Sequence, residues 1–84
     1  MTERKIMLRL EEAEDFVRAA NGCDFDIDIF YNRYSVDAKS ILGVMGLDFS
    51  KVLTVRYYGY NGNFEKYLSH LEFLVDVSLT KSAL

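Results

Sequence analysis

Asp24 to Tyr31 reads DFDIDIFY, and its alternation limits what the chain can become. Phe25, Ile27, Ile29 and Tyr31 fall on one side, and Asp24, Asp26 and Asp28 on the other. A helix would scatter these residues around its circumference, whereas an extended strand sorts them into a buried face and a wet one. The segment therefore predicts a half-buried strand. Asn32-Arg33 then turns the chain into a second strand, Tyr34 to Val36, which makes a hairpin.

The remaining periodicities build around that hairpin. Lys5 to Leu10 reads as a short strand with Ile6, Leu8 and Leu10 on one face. Glu11 to Ala20 switches to helical spacing, with Leu10, Ala13, Phe16, Val17 and Ala20 on its apolar face, and Asn21-Gly22 stops it. A short helix is expected from Ile41 to Met45, ended at Gly46. Lys51 to Tyr58 is a further strand, with Leu53, Val55 and Tyr57 inward. After the loop GYNGN, a last helix runs from Phe64 to about Leu79, its stripe made by Phe64, Tyr67, Leu68, Leu71, Leu74 and Val75. The order is βαββαβα. It predicts an α+β open-faced sandwich, a four-stranded antiparallel sheet with three helices on one face.

Eighty-four residues suit one domain, 1–84, with no repeat and no linker. The net charge of −3 and pI near 5.0 argue against a protein that lives on a nucleic-acid backbone. No apolar run reaches the ~18–20 residues of a membrane span. The opening MTERKIM lacks the apolar core of a secretion signal, and with a single cysteine, Cys23, a reducing cytoplasm is expected. One cysteine also excludes an intrachain disulfide and a metal site built on paired cysteines, so neither metal nor cofactor is expected.

The chemistry-bearing residues mostly have plain explanations. An EF-hand starting at Asp24 would need glycine at position 29 and glutamate at position 35, where the chain has Ile29 and Ser35. Aspartates alternating along a strand lie ~6–7 Å apart on a flat surface, so a solvated face is the expectation. Tyr57, Tyr58 and Tyr60 with Arg56 do not match the RNA-recognition signature, and sheet packing is expected of them. His70, the single histidine, is placed at the core boundary of the last helix, about 100° from its stripe. Phe73 is expected to point outward there.

Ser40 stands apart. It precedes Ile41, Leu42, Val44 and Met45, a helix too short and too apolar to bury one face and solvate the other. As an N-cap its hydroxyl accepts from a free backbone N–H, at a value of ~1 kcal/mol. As a phosphorylation site it would place phosphate at the positive end of the helix dipole, leaving the helix intact while recharging an apolar surface.

VDAKSILGVMGL, Val36 to Leu47, closely resembles the corresponding segment of HPr, the small phosphocarrier of the bacterial sugar phosphotransferase system. The preceding DIDIFYNRYSV matches that family's strand, turn and strand, and the element order agrees from about Ile6 to Leu79. The connection after Leu47 is shorter than usual. The resemblance implies that part of the short helix is a docking patch, with Ile41, Leu42 and Met45 facing a protein partner and Lys39 beside them. It also implies that Ser40 matches a serine that an ATP-dependent kinase phosphorylates in some members.

The departure lies near the N-terminus. HPr carries its phosphoryl group on a histidine in a GxHARPA-like loop, and this chain reads MLRLEEA from Met7 to Ala13. Arg9 takes the histidine position, Glu11 that of the arginine and Glu12 that of the proline. Arginine sheds no proton near neutral pH and so offers no nucleophilic nitrogen. Glu11, Glu12 and Glu14 repel an incoming phosphate. The expectation is a non-enzymatic, HPr-like regulator that docks on a partner through the short helix and is switched at Ser40 by a serine kinase. The alternatives are a constitutive interaction domain, with Ser40 as a cap alone, and a phosphocarrier.

Overall fold

A computed structural model describes the backbone of residues 1–83 and the side chains of residues 1–72 and Val75. The elements are β1 (Thr2–Ile6), a 3-10 turn (Leu10–Glu12), α1 (Ala13–Asn21), β2 (Ile27–Tyr31), β3 (Tyr34–Asp37), α2 (Ile41–Met45), β4 (Leu53–Tyr57) and α3 (Gly62–Ala83). The four strands form one antiparallel sheet in the order β1-β4-β2-β3. The expected α+β open-faced architecture is thus the one found.

Alternation decides which face is covered. Ile27 and Ile29 of β2, and Leu53, Val55 and Tyr57 of β4, are buried beneath the helices. Ala13, Phe16 and Ala20 of α1 and Phe64, Leu68, Leu71 and Val75 of α3 meet them from above. The Tyr57 ring is stacked on Phe25 at 5.6 Å and meets Phe64 edge-on at 5.5 Å, filling the centre of the sandwich. Gly59 has φ of 144°, and a Cβ there would stand 2.4 Å from the Phe25 ring. Only glycine lets the loop after β4 close over that ring.

β2 begins at Ile27 instead of Asp24, β4 covers Leu53–Tyr57 instead of 51–58, and β1 differs most from its expected span. It runs from Thr2 to Ile6 because its partner β4 reaches only from Tyr57 to Leu53, leaving nothing to pair beyond Ile6. Leu8 is still buried. Leu10, expected on the apolar face of both strand and helix, is 56% exposed. It opens the 3-10 turn, one step outside the period that α1 sets from Ala13 onward.

The last helix begins two residues early. Asn61 caps it through its side-chain oxygen, which accepts from Phe64 N–H at 3.0 Å, while its amide donates to the Gly22 carbonyl at 3.3 Å. Arg4 crosses from β1 to α3, donating to Glu65, Ser69 and Glu72. The Tyr57 hydroxyl donates to the other oxygen of Glu65. His70, expected at the core boundary, is exposed. Tyr67 is only half-buried, so the true stripe centres on Leu68, Leu71 and Val75, about 130° from His70 by helical geometry. The expected orientation of Phe73, and the place of Leu74 in the stripe, lie outside the described residues.

Candidate functional site: the α2 patch and the α1 entrance

Ser40 adopts extended geometry, φ −101° and ψ 114°, and its Oγ accepts from the Gly43 N–H at 3.2 Å. Its carbonyl accepts from the Val44 N–H at 2.9 Å, closing the first turn of α2. The hydroxyl is therefore the N-cap that the sequence suggested. It is also half-exposed, at the edge of an apolar surface.

The five residues of α2 divide between two jobs. Val44 is fully buried, and Leu47 just beyond the helix is 6% exposed. Leu42 is 86% exposed, Ile41 39% and Met45 46%. Gly43 allows this arrangement, because a Cβ there would press on the Val36 side chain of β3 at 3.2 Å. The helix can thus lie flat on the hairpin while its other side faces water.

The patch extends beyond the residues the sequence singled out. Tyr34, 47% exposed, sets its hydroxyl against Gly46 at the end of α2, where a Cβ would lie 3.1 Å away. Its ring tilts against Tyr31 at 5.9 Å across the hairpin. Hairpin register was the available signal: Tyr31 and Tyr34 flank the turn at Asn32, whose φ is +52°.

Lys39 is turned inward. Its ammonium donates to the Cys23 carbonyl at 2.9 Å, and its own carbonyl accepts from the Asn21 amide at 3.1 Å. Cys23 is buried. Burial pushes its thiol above the ordinary value, and the Lys39 ammonium only partly opposes this.

At the α1 entrance, Arg9 is the N-cap of the 3-10 turn and its side chain is 66% exposed. Glu12 reaches back to accept from the Arg9 backbone N–H at 3.1 Å and from its Nε at 3.2 Å. Glu11 stands 3.6 Å from the same guanidinium. Glu12 thus closes a capping box on Arg9, bonded to both its backbone and its side chain. Tyr67 packs nearby on Phe16 at 6.5 Å, and its buried hydroxyl meets no hydrogen-bond partner among the described residues. No group of potential metal ligands occurs among the described residues, and none of their helices is long and apolar enough to cross a membrane.

Comparison with known proteins gives these features a context. A family model described as "PTS HPr component phosphorylation site" matches residues 6–75. The chain therefore belongs to the HPr family of the phosphotransferase system, a family of phosphocarriers that interact with protein partners. It is similar to HPr-C-His from Thermoanaerobacter tengcongensis, at 28% identity and a TM-score of 0.68, over 84% of this chain and 90% of that one. It shares its fold with the phosphocarrier protein HPr from Bacillus anthracis str. Ames, at 24% identity and a TM-score of 0.65, over 83% and 95%. No curated protein sequence matches it at a meaningful level.

Proposed function

We propose that this chain is a non-catalytic HPr-family regulator that docks on a partner protein through α2, with phosphorylation of Ser40 as the switch. The observation that carries the reading is the exposure of Leu42 between Ile41 and Met45, three apolar side chains on a helix whose inward residue is already buried. A small domain gains nothing in stability from a leucine 86% in water, so a partner surface is its natural use.

The α1 entrance supports the non-catalytic half. Arg9 takes the position that the resemblance assigns to the phosphoryl-accepting histidine, and Glu12 and Glu11 hold it. A guanidinium has no free nitrogen lone pair to phosphorylate, and two carboxylates oppose the approach of a phosphoryl donor. The cytoplasm is the compartment this reading places it in.

Ser40 supplies the regulatory half. Its hydroxyl lies at the rim of the patch, so a phosphate there would bring about −1.5 to −2 charges beside Ile41 and Leu42. A second reading has an observation in its favour: the Ser40 hydroxyl already caps α2, which is reason enough for a serine. In that reading the patch binds constitutively.

Incubation with ATP and an HPr-type serine kinase separates the two by intact mass. The regulator gains one phosphate, Ser40→Ala gains none, and Leu42→Asp gains it much more slowly because the kinase docks on α2. A wild-type chain that stays unmodified leaves the constitutive reading.

A further inference from the structure

Arg56 sits in β4 with a carboxylate as register partner on each side, Glu3 in β1 and Asp28 in β2. All three lie on the sheet face that no helix covers. The arginine serves only one of them. Its Nε donates to Glu3 at 2.6 Å, and its guanidinium carbon lies 4.4 Å above the Phe30 ring.

Asp28 is left without a cation. So is Asp26, which precedes β2 and points to the same side; neither forms an ion pair among the described residues. With Arg56, Tyr57 and Tyr58 these aspartates line an open pocket of about 260 Å³. Tyr58 is 72% exposed, far more than a ring placed for packing requires. The pocket thus offers two unpaired carboxylates and an exposed aromatic, and its own arginine is already neutralised by Glu3.

We propose that this pocket is a second docking site, which takes an arginine side chain from a basic segment of a partner protein. Charge complementarity selects the sign, since Asp26 and Asp28 attract a cation and repel phosphate or a nucleic-acid backbone. Shape selects arginine over lysine. A planar guanidinium can fork between two carboxylates while its face lies on Tyr58, which a compact ammonium does less well. The site is on the sheet face away from α2 and does not depend on the reading of that helix.

The test titrates N-acetyl-tetraarginine amide into the full chain labelled with 15N and follows backbone amide shifts. Saturating shifts centred on Asp26, Asp28, Arg56 and Tyr58 are expected. Asp26→Asn/Asp28→Asn should bind about ten-fold more weakly, with the remaining amide dispersion reporting that it is folded. Tyr58→Ala should weaken tetraarginine more than tetralysine. Shifts spread equally over Glu14 and Asp15 of α1, or unchanged affinity in the double variant, would overturn the proposal.

Discussion

The ammonium of Lys39 donates to the main-chain carbonyl of Cys23 at 2.9 Å, which ties the entrance of α2 to the segment leaving α1. The Asn21 amide returns the contact at the Lys39 carbonyl. The lysine beside the apolar patch therefore anchors that patch from beneath. Lys39→Met should lower stability by about 1 kcal/mol, read from the denaturant midpoint, because a charge-assisted bond to a carbonyl is lost.

Ser40 is predicted to matter for stability whichever reading of its chemistry holds. Ser40→Ala removes the acceptor for Gly43 N–H and should cost about 0.5–2 kcal/mol. Ser40→Asp keeps an acceptor at the cap and adds a charge that suits the dipole, so its midpoint should stay within a few tenths of a kcal/mol of wild type. A large loss in the aspartate variant would mean that the cap geometry tolerates only a hydroxyl.

Leu42 separates folding from the proposed docking. Its side chain is 86% exposed, so Leu42→Asp should change stability by no more than about 0.5 kcal/mol. The same substitution at Val44, fully buried one turn-face away, should unfold the domain. Thermal unfolding of the two variants side by side checks the contrast.

Two tyrosines should respond to phenylalanine in opposite directions. Tyr57→Phe loses a hydrogen bond to Glu65 and should destabilise by about 1 kcal/mol or more. Tyr67→Phe removes a buried hydroxyl without a partner among the described residues and should be neutral or stabilising. Burial, then the Glu65 contact, pushes Tyr57 up to about 12, and burial with the Glu12 and Asp15 charges does the same to Tyr67. Below the unfolded value of about 10 both states hold these protons, and neither tyrosine makes stability depend on pH. From there to about 12 the unfolded chain ionises first, so stability falls as pH rises and is lost through the folded value. Urea midpoints at about pH 8 and about pH 11 should show this fall, smaller in Tyr67→Phe.

The fold was legible wherever period and punctuation agreed. Ile27 and Ile29 declared β2 by alternation, and Ser40 and Gly46 bracketed α2 to the residue, because cap chemistry and glycine are local signals. β1 was misplaced because its length depends on β4, a partner some fifty residues away whose extent its own pattern does not contain. His70 was misplaced because Tyr67 looks like core in a one-dimensional stripe and sits half-out in space. At the candidate site, Ile41, Leu42 and Met45 could be read from the excess of apolar residues in a short helix. The inward turn of Lys39 is a tertiary contact invisible to spacing, whereas hairpin register puts Tyr34 opposite Tyr31 without revealing its approach to Gly46. The pocket on the uncovered face was missed for a similar reason, since Arg56 has to choose between Glu3 and Asp28 only once the strands are paired.

Whether the α1 entrance can accept a phosphoryl group decides between a regulator and a phosphocarrier. The direct measurement is intact mass after incubation with phosphoenolpyruvate and enzyme I of the phosphotransferase system, for the wild type and Arg9→His. Both should remain unmodified, since the wild type lacks a nitrogen nucleophile at Arg9 and the variant still faces Glu11 and Glu12. Acid-labile phosphate on the wild type would contradict the non-catalytic assignment and direct attention to the exposed His70. Acid-labile phosphate on Arg9→His alone would contradict the claim that the two glutamates close the site.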